Sequence, residues 1–139
     1  PLERVSGLIM EAFTKTQDFT LLHAVTGCQA LRLLLPYAGD PRASLNRYWH
    51  SVCAAYLSVS KLNPGFEKDS APAGSLSWEE VFSKAAASEP KAVSKALSTS
   101  QYEHVVKLSY TCWLESRHYK RDRYLALACR EIDKPCSFI

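Results

Sequence analysis

This sequence contains no apolar run long enough to span a bilayer, so no membrane-crossing helix is expected. Neither sign of charge dominates. Seventeen basic residues face 14 acidic ones, a net +3, too slight an excess to imply a polyanionic partner. Neither a nucleic acid nor a membrane is therefore expected as a partner. The five cysteines, Cys28, Cys53, Cys112, Cys129 and Cys136, form no CxxC and match no zinc module. Glycine is sparse, at five residues. There is no glycine-rich phosphate loop, no dinucleotide fingerprint and no G-x-S-x-G elbow. No charged-then-apolar leader opens the chain at Pro1, so no signal peptide is visible. With an odd cysteine count, this points to a reducing compartment, the cytoplasm. Strand-like alternation and internal repeats are also missing.

What remains is helical. The 139 residues are 47% hydrophobic and 22% charged, the balance of a packed globular chain of one domain or a piece of one. Apolar residues recur at three and four, so the expected fold is all-α, an irregular multi-helix bundle. The first helix is predicted over Leu2–Phe13, with Val5, Leu8, Ile9 and Ala12 as its inner stripe. Asp18 is a good N-cap for a second helix ending before Pro36. Asp40-Pro41 opens a third, which runs to about Lys61 and breaks at Asn63-Pro64-Gly65. Residues 62–76 read as a loop. Ser77 and Glu80 form a capping box for a helix to about Ser88. A short helical piece is predicted from Pro90 to Leu97. Ser100 with Glu103 reads as a second capping box, for a helix to Arg117. A last helix spans Arg121–Ile132.

Two helices are apolar nearly all round, the pattern of a buried element. One is Phe19–Leu35 and the other Tyr102–Leu114. Polar residues inside them need a reason. His23 lies in the first, with Gly27 one turn later, where a glycine costs about 1 kcal/mol relative to alanine and leaves room for a close neighbour. His23 reads as a hydrogen-bonded core histidine or as a ligand. In the second, His104 and Lys107 are three apart and share a face. A buried ammonium is expensive. As a carbamate the lysine would offer carboxylate-like oxygens, and with two histidines these suit iron or zinc. Alternatively Lys107 snorkels outward and His104 is structural. His50 reads as a surface or inter-helix histidine. The cluster Arg117–Arg123, which includes His118, could touch phosphate, but it also suits a helix C-terminus. Cys136–Ile139 has the outline of a prenylation box. Ser137 at an aliphatic position and the lack of a basic run argue against it.

The stretch His23-Ala24-Val25-Thr26-Gly27-Cys28-Gln29-Ala30-Leu31-Arg32 resembles the H-x-V-T-x-x-x-A-L-R helix of the questin oxidase-like family of fungal polyketide pathways. Glu103-His104-Val105-Val106-Lys107 resembles that family's E-H-V-(I/V)-K helix, and Trp78 between them also fits. The resemblance runs from about Phe19 to about Ile132. It implies the C-terminal part of a larger helical enzyme, completed by an upstream segment of the same protein or by a separate chain. It also implies an oxygenase that opens a ring of an anthraquinone-type polyketide. The family's metal site maps onto His23, His104 and Lys107, with Lys107 as the carbamate and further histidines supplied upstream.

The implied cofactor is Fe(II), with O2 as co-substrate activated beside an electron-rich ring. The family name carries a rival chemistry, Baeyer–Villiger-type insertion using NADPH. A non-catalytic helical interaction domain is the third reading. A planar substrate calls for an aromatic pocket, for which Trp49, Tyr56, Tyr110 and Trp113 are available.

Overall fold

A computed structural model describes residues 1–59, 76–87 and 99–133. The described residues are all-helical and contain no strand. The helices are α1 (Leu2–Thr16), α2 (Phe19–Leu34), α3 (Pro41–Ser58), α4 (Trp78–Ala87), α5 (Thr99–Tyr119) and α6 (Arg123–Asp133), with a 3-10 turn at Leu35–Tyr37. The chain divides into two units, Pro1–Glu67 and Lys68–Ile139. Most of the predicted 62–76 loop, the predicted Pro90–Leu97 helix and the Cys136–Ile139 tail lie outside the described residues.

Local chemistry sets the helix ends. Asp18 accepts hydrogen bonds from the amides of Thr20 (2.8 Å) and Leu21 (3.2 Å), satisfying two donors that a helix start leaves open. Asp40 accepts from the Ala43 amide at 2.9 Å, with Pro41 next in the chain, where its missing N–H costs nothing. The Ser77–Glu80 capping box closes reciprocally. The Ser77 amide donates to Glu80 at 2.7 Å and the Glu80 amide to Ser77 Oγ at 3.2 Å. The Ser77 amide thereby holds the Glu80 carboxyl below its ordinary range. Gln17 and Lys120 take left-handed φ of 53° and terminate α1 and α5. The left-handed stop at Lys120 delays α6 to Arg123, two residues later than predicted. α5 begins at Thr99, one residue before Ser100, so position 100 lies within the helix rather than at its start.

In the first unit α1, α2 and α3 pack on one another. The core is Ile9, Met10, Phe13, Leu21, Leu22, Val25, Cys28 and Val52. Burying each large apolar side chain contributes roughly 1.5–3 kcal/mol. The inner stripe of α1 is Leu2, Ser6, Ile9, Met10 and Phe13, about one residue round from the predicted one, and Leu8 faces out. The expectation that α2 is covered on all sides also fails. It buries Leu21, Leu22, Val25 and Cys28, but Phe19, Leu33 and Leu34 are exposed, Leu34 by 63%. The two neighbouring helices cover one side of α2, and a cylinder needs more than two to be enclosed.

In the second unit α4, α5 and α6 pack mutually, most extensively α5 on α6. Val81, Ala85, Val105, Leu108, Cys112, Tyr124, Leu127, Ala128 and Cys129 form its apolar interior. α5 also falls short of full burial. Val106, Lys107 and Tyr110 face outward, while Ser109, Thr111 and Glu115 face in.

Candidate functional site

His23 stands in the second turn of α2. It is exposed rather than buried as expected, because it lies off the stripe Leu21, Leu22, Val25 and Cys28 that meets the neighbouring helices. Its Nδ1 is 2.9 Å from the Phe19 carbonyl oxygen one turn back. The Phe19 ring meets the imidazole edge-on at 4.4 Å. A carbonyl only accepts, so the neutral ring carries its proton on Nδ1 and its lone pair on Nε2. Metal-binding histidines commonly use this tautomer, with the second nitrogen held by a backbone carbonyl.

The room beside Gly27 is occupied by Tyr48 of α3. A Cβ added at Gly27 would lie 3.5 Å from Tyr48 Cε2, an ordinary contact, so glycine is tolerated there rather than demanded. The Tyr48 hydroxyl donates to the Ala24 carbonyl at 2.5 Å and ties α3 to the turn after His23. Burial, and then the neighbouring Cys28, push the Tyr48 phenol far above its ordinary value, so it remains a donor.

His104 is buried on α5. Lys107, one turn on, is 62% exposed, and its amine lies 3.4 Å from Glu103. An exposed ammonium beside a carboxylate carries no burial cost, so the electrostatic motive for a carbamate is absent here. The helix brings His104 and Lys107 to adjacent positions one turn apart, whereas His23 belongs to the other unit. His50 and His118 are both exposed, and the His118 ring meets Tyr119 edge-on at 4.6 Å. Of the aromatics available for a pocket, Trp49 and Tyr56 lie on α3, and Tyr110 and Trp113 on α5.

The chain matches no protein-family model, no curated protein and no solved structure. No described helix is long and apolar enough to cross a membrane.

The sequence reading missed two carboxylates. Glu115 and Glu131 are both buried, at 1% and 2% exposure. Burial, then Glu131, then Glu115 raise the Cys112 thiol well above its ordinary value, so both acids lie near that thiol. The signal was present in the register. Glu115 continues the inward stripe Leu108–Cys112 by three, and Glu131 continues Tyr124–Leu127 by four. Among the described residues no group of three or more His, Cys, Asp or Glu side chains could hold a metal ion. The His23 tautomer suits a ligand, but the described residues do not close a metal site by themselves.

Proposed function

We propose that the chain is part of a non-haem iron oxygenase that oxidatively cleaves a ring of an anthraquinone-type polyketide in the cytoplasm. His23, His104 and Lys107 are assigned as iron ligands, with Lys107 carboxylated. The assignment rests on the two motifs that resemble the questin oxidase-like family. Its main structural support is the His23 ring, whose Nδ1 engages the Phe19 carbonyl as the second nitrogen of many metal-binding histidines does. Both motifs also lie within continuous helices, which fixes the spacing of His104 and Lys107. Bound iron would supply dioxygen activation. Both oxygen atoms enter the opened product, so no external reductant is consumed. The NADPH-dependent insertion would consume one nicotinamide per turnover and release water.

Elemental analysis tests the assignment. Stoichiometric iron in the purified chain, lost in His104→Ala and in His23→Ala, is the expected result. Iron absent from all three samples overturns it. Substrate-dependent oxygen uptake without nicotinamide oxidation separates ring cleavage from the NADPH chemistry. For Lys107, growth under 13C-labelled carbon dioxide should give a carbamate carbon signal that Lys107→Met removes.

The exposed Leu34, Tyr37 and Leu57 favour a second reading, a helical interaction domain whose polar residues only fix packing. A folded, iron-free chain would support it.

A further inference from the structure

Four aromatic rings form a continuous chain across α4 and α5. Trp78 lies 6.1 Å from Phe82, and Phe82 meets Trp113 edge-on at 5.8 Å. Trp113 lies 5.9 Å from Tyr110 at a shallow tilt. The chain ends in a cation, with the Arg117 guanidinium carbon 5.1 Å over the Trp113 ring. Tyr110 is 51% exposed, and Arg117 is also exposed.

The charges along this face are unequal. Lys107 is paired with Glu103, whereas Arg117 makes no ion pair among the described residues. Lys120 and Arg121 follow in the chain just after α5. A guanidinium resting on an indole keeps its in-plane N–H groups directed outward, and the stacking holds them in the geometry that suits a carboxylate or phosphate. The exposed face of Tyr110 offers a stacking surface one turn away.

We propose that Tyr110, Trp113 and Arg117 bind a planar aromatic acid. The ring lies against Tyr110 and Trp113, and its carboxylate, sulfonate or phosphate meets the edge of Arg117. One ring surface and one arginine with no ion pair among the described residues fit a ligand with one aromatic system and one anionic group. The proposal is independent of the iron assignment and uses neither His23, His104 nor Lys107. A mononucleotide and a simple aryl acid share this chemistry, and the probes below distinguish them.

The test is titration of the full chain, followed by the amide, indole and arginine side-chain resonances. The probes are 2-naphthoate, neutral 2-naphthylmethanol, octanoate and adenosine monophosphate. The expected result is saturable movement of the Trp113 indole and Arg117 Nε signals with 2-naphthoate. Its affinity should be about tenfold above that of the neutral ring or the ringless acid, the size of one stacking or charge-assisted contact. Arg117→Gln should reduce naphthoate to the level of naphthylmethanol and leave naphthylmethanol unchanged. Tyr110→Ala should weaken both aromatic probes. Both positions are exposed, and unchanged amide spectra establish that the variants fold. If the monophosphate binds as tightly as naphthoate, a nucleotide is the favoured source. If it binds weakly while naphthoate binds tightly, the ligand is a non-nucleotide acid. Equal affinity for naphthoate and naphthylmethanol overturns the proposal. So does unchanged naphthoate binding in Arg117→Gln, or equal movement of the Trp49 and Trp113 indoles.

Discussion

Among the described residues the two units each assemble three α-helices, yet their interiors differ in chemistry. The first unit buries almost only hydrocarbon and a thiol, around Phe13, Leu21 and Cys28. Its central helix α2 ends in uncovered leucines. The second unit also leaves one side of α5 open, but it places Ser109, Thr111, Glu115 and Glu131 inside. An apolar interior is held by area removed from water. A mixed interior depends on whether each polar group finds a partner. The first should respond to loss of volume, and the second to protonation and to removal of polar atoms.

The largest effect expected is within α2 itself. Leu21→Ala should destabilise the first unit by about 2–5 kcal/mol, the cost of a cavity in a closed core. Leu34→Ala should change stability by less than about 0.5 kcal/mol. Urea denaturation of the full chain measures both. A cost at Leu34 approaching that at Leu21 would mean that the outer face of α2 is covered in solution, and the contrast between its two faces would disappear.

Alkaline pH separates the units next. The folded state holds the proton of Cys112 above the ordinary thiol value of 9.0, and that of Tyr48 above the ordinary phenol value of 10.0. In each case the unfolded chain releases its proton first. Stability is therefore full below the unfolded value and declines above it. From Cys112 the decline is about 1.4 kcal/mol per pH unit once pH passes 9.0. Cys112→Ala should flatten the profile from that point, whereas Tyr48→Phe should flatten it only above 10.0. Identical profiles in the two variants would break the distinction.

Ser109 supplies a test of opposite sign. Its buried Oγ has no hydrogen-bond partner among the described residues, which leaves its desolvation uncompensated there. Ser109→Ala should raise stability by about 1 kcal/mol, measured by the same denaturation. A loss of stability would show that the hydroxyl contributes to packing or bonding in solution.

These contrasts indicate how far the sequence could be read. Helix identity and most ends were legible, because Asp18, Asp40 and the Ser77–Glu80 pair act through bonds within a few residues. Burial was less legible. Leu21 and Leu34 look alike as letters, and what separates them is which face of α2 meets the neighbouring helices. The same limit hid Glu115 and Glu131. Each completes an inward stripe at the end of a helix, beyond the strongly apolar stretch. That limit also made Lys107 look buried, because a helix rich in apolar residues still keeps an outward face. The motifs carrying His23, His104 and Lys107 were legible as patterns, but their convergence depends on tertiary placement that local spacing does not encode.

The smallest effect expected is at Lys107, where stability and function should separate. Its ion pair with Glu103 is exposed on both sides, at 62% and 54%, and spans one helical turn. Such pairs contribute under about 0.5 kcal/mol, and salt screens them further. Lys107→Met should therefore leave the denaturation midpoint nearly unchanged, while the proposed ligand role requires it to lower iron retention. Lys107→Glu should restore part of that retention, because a carboxylate replaces the carbamate oxygens, although it now repels Glu103 across the same turn. If both variants hold iron as well as the parent chain does, Lys107 is an ordinary surface cation and the ligand set must be completed elsewhere. If Lys107→Met instead unfolds the second unit, the exposed geometry of α5 is not the one the chain adopts in solution.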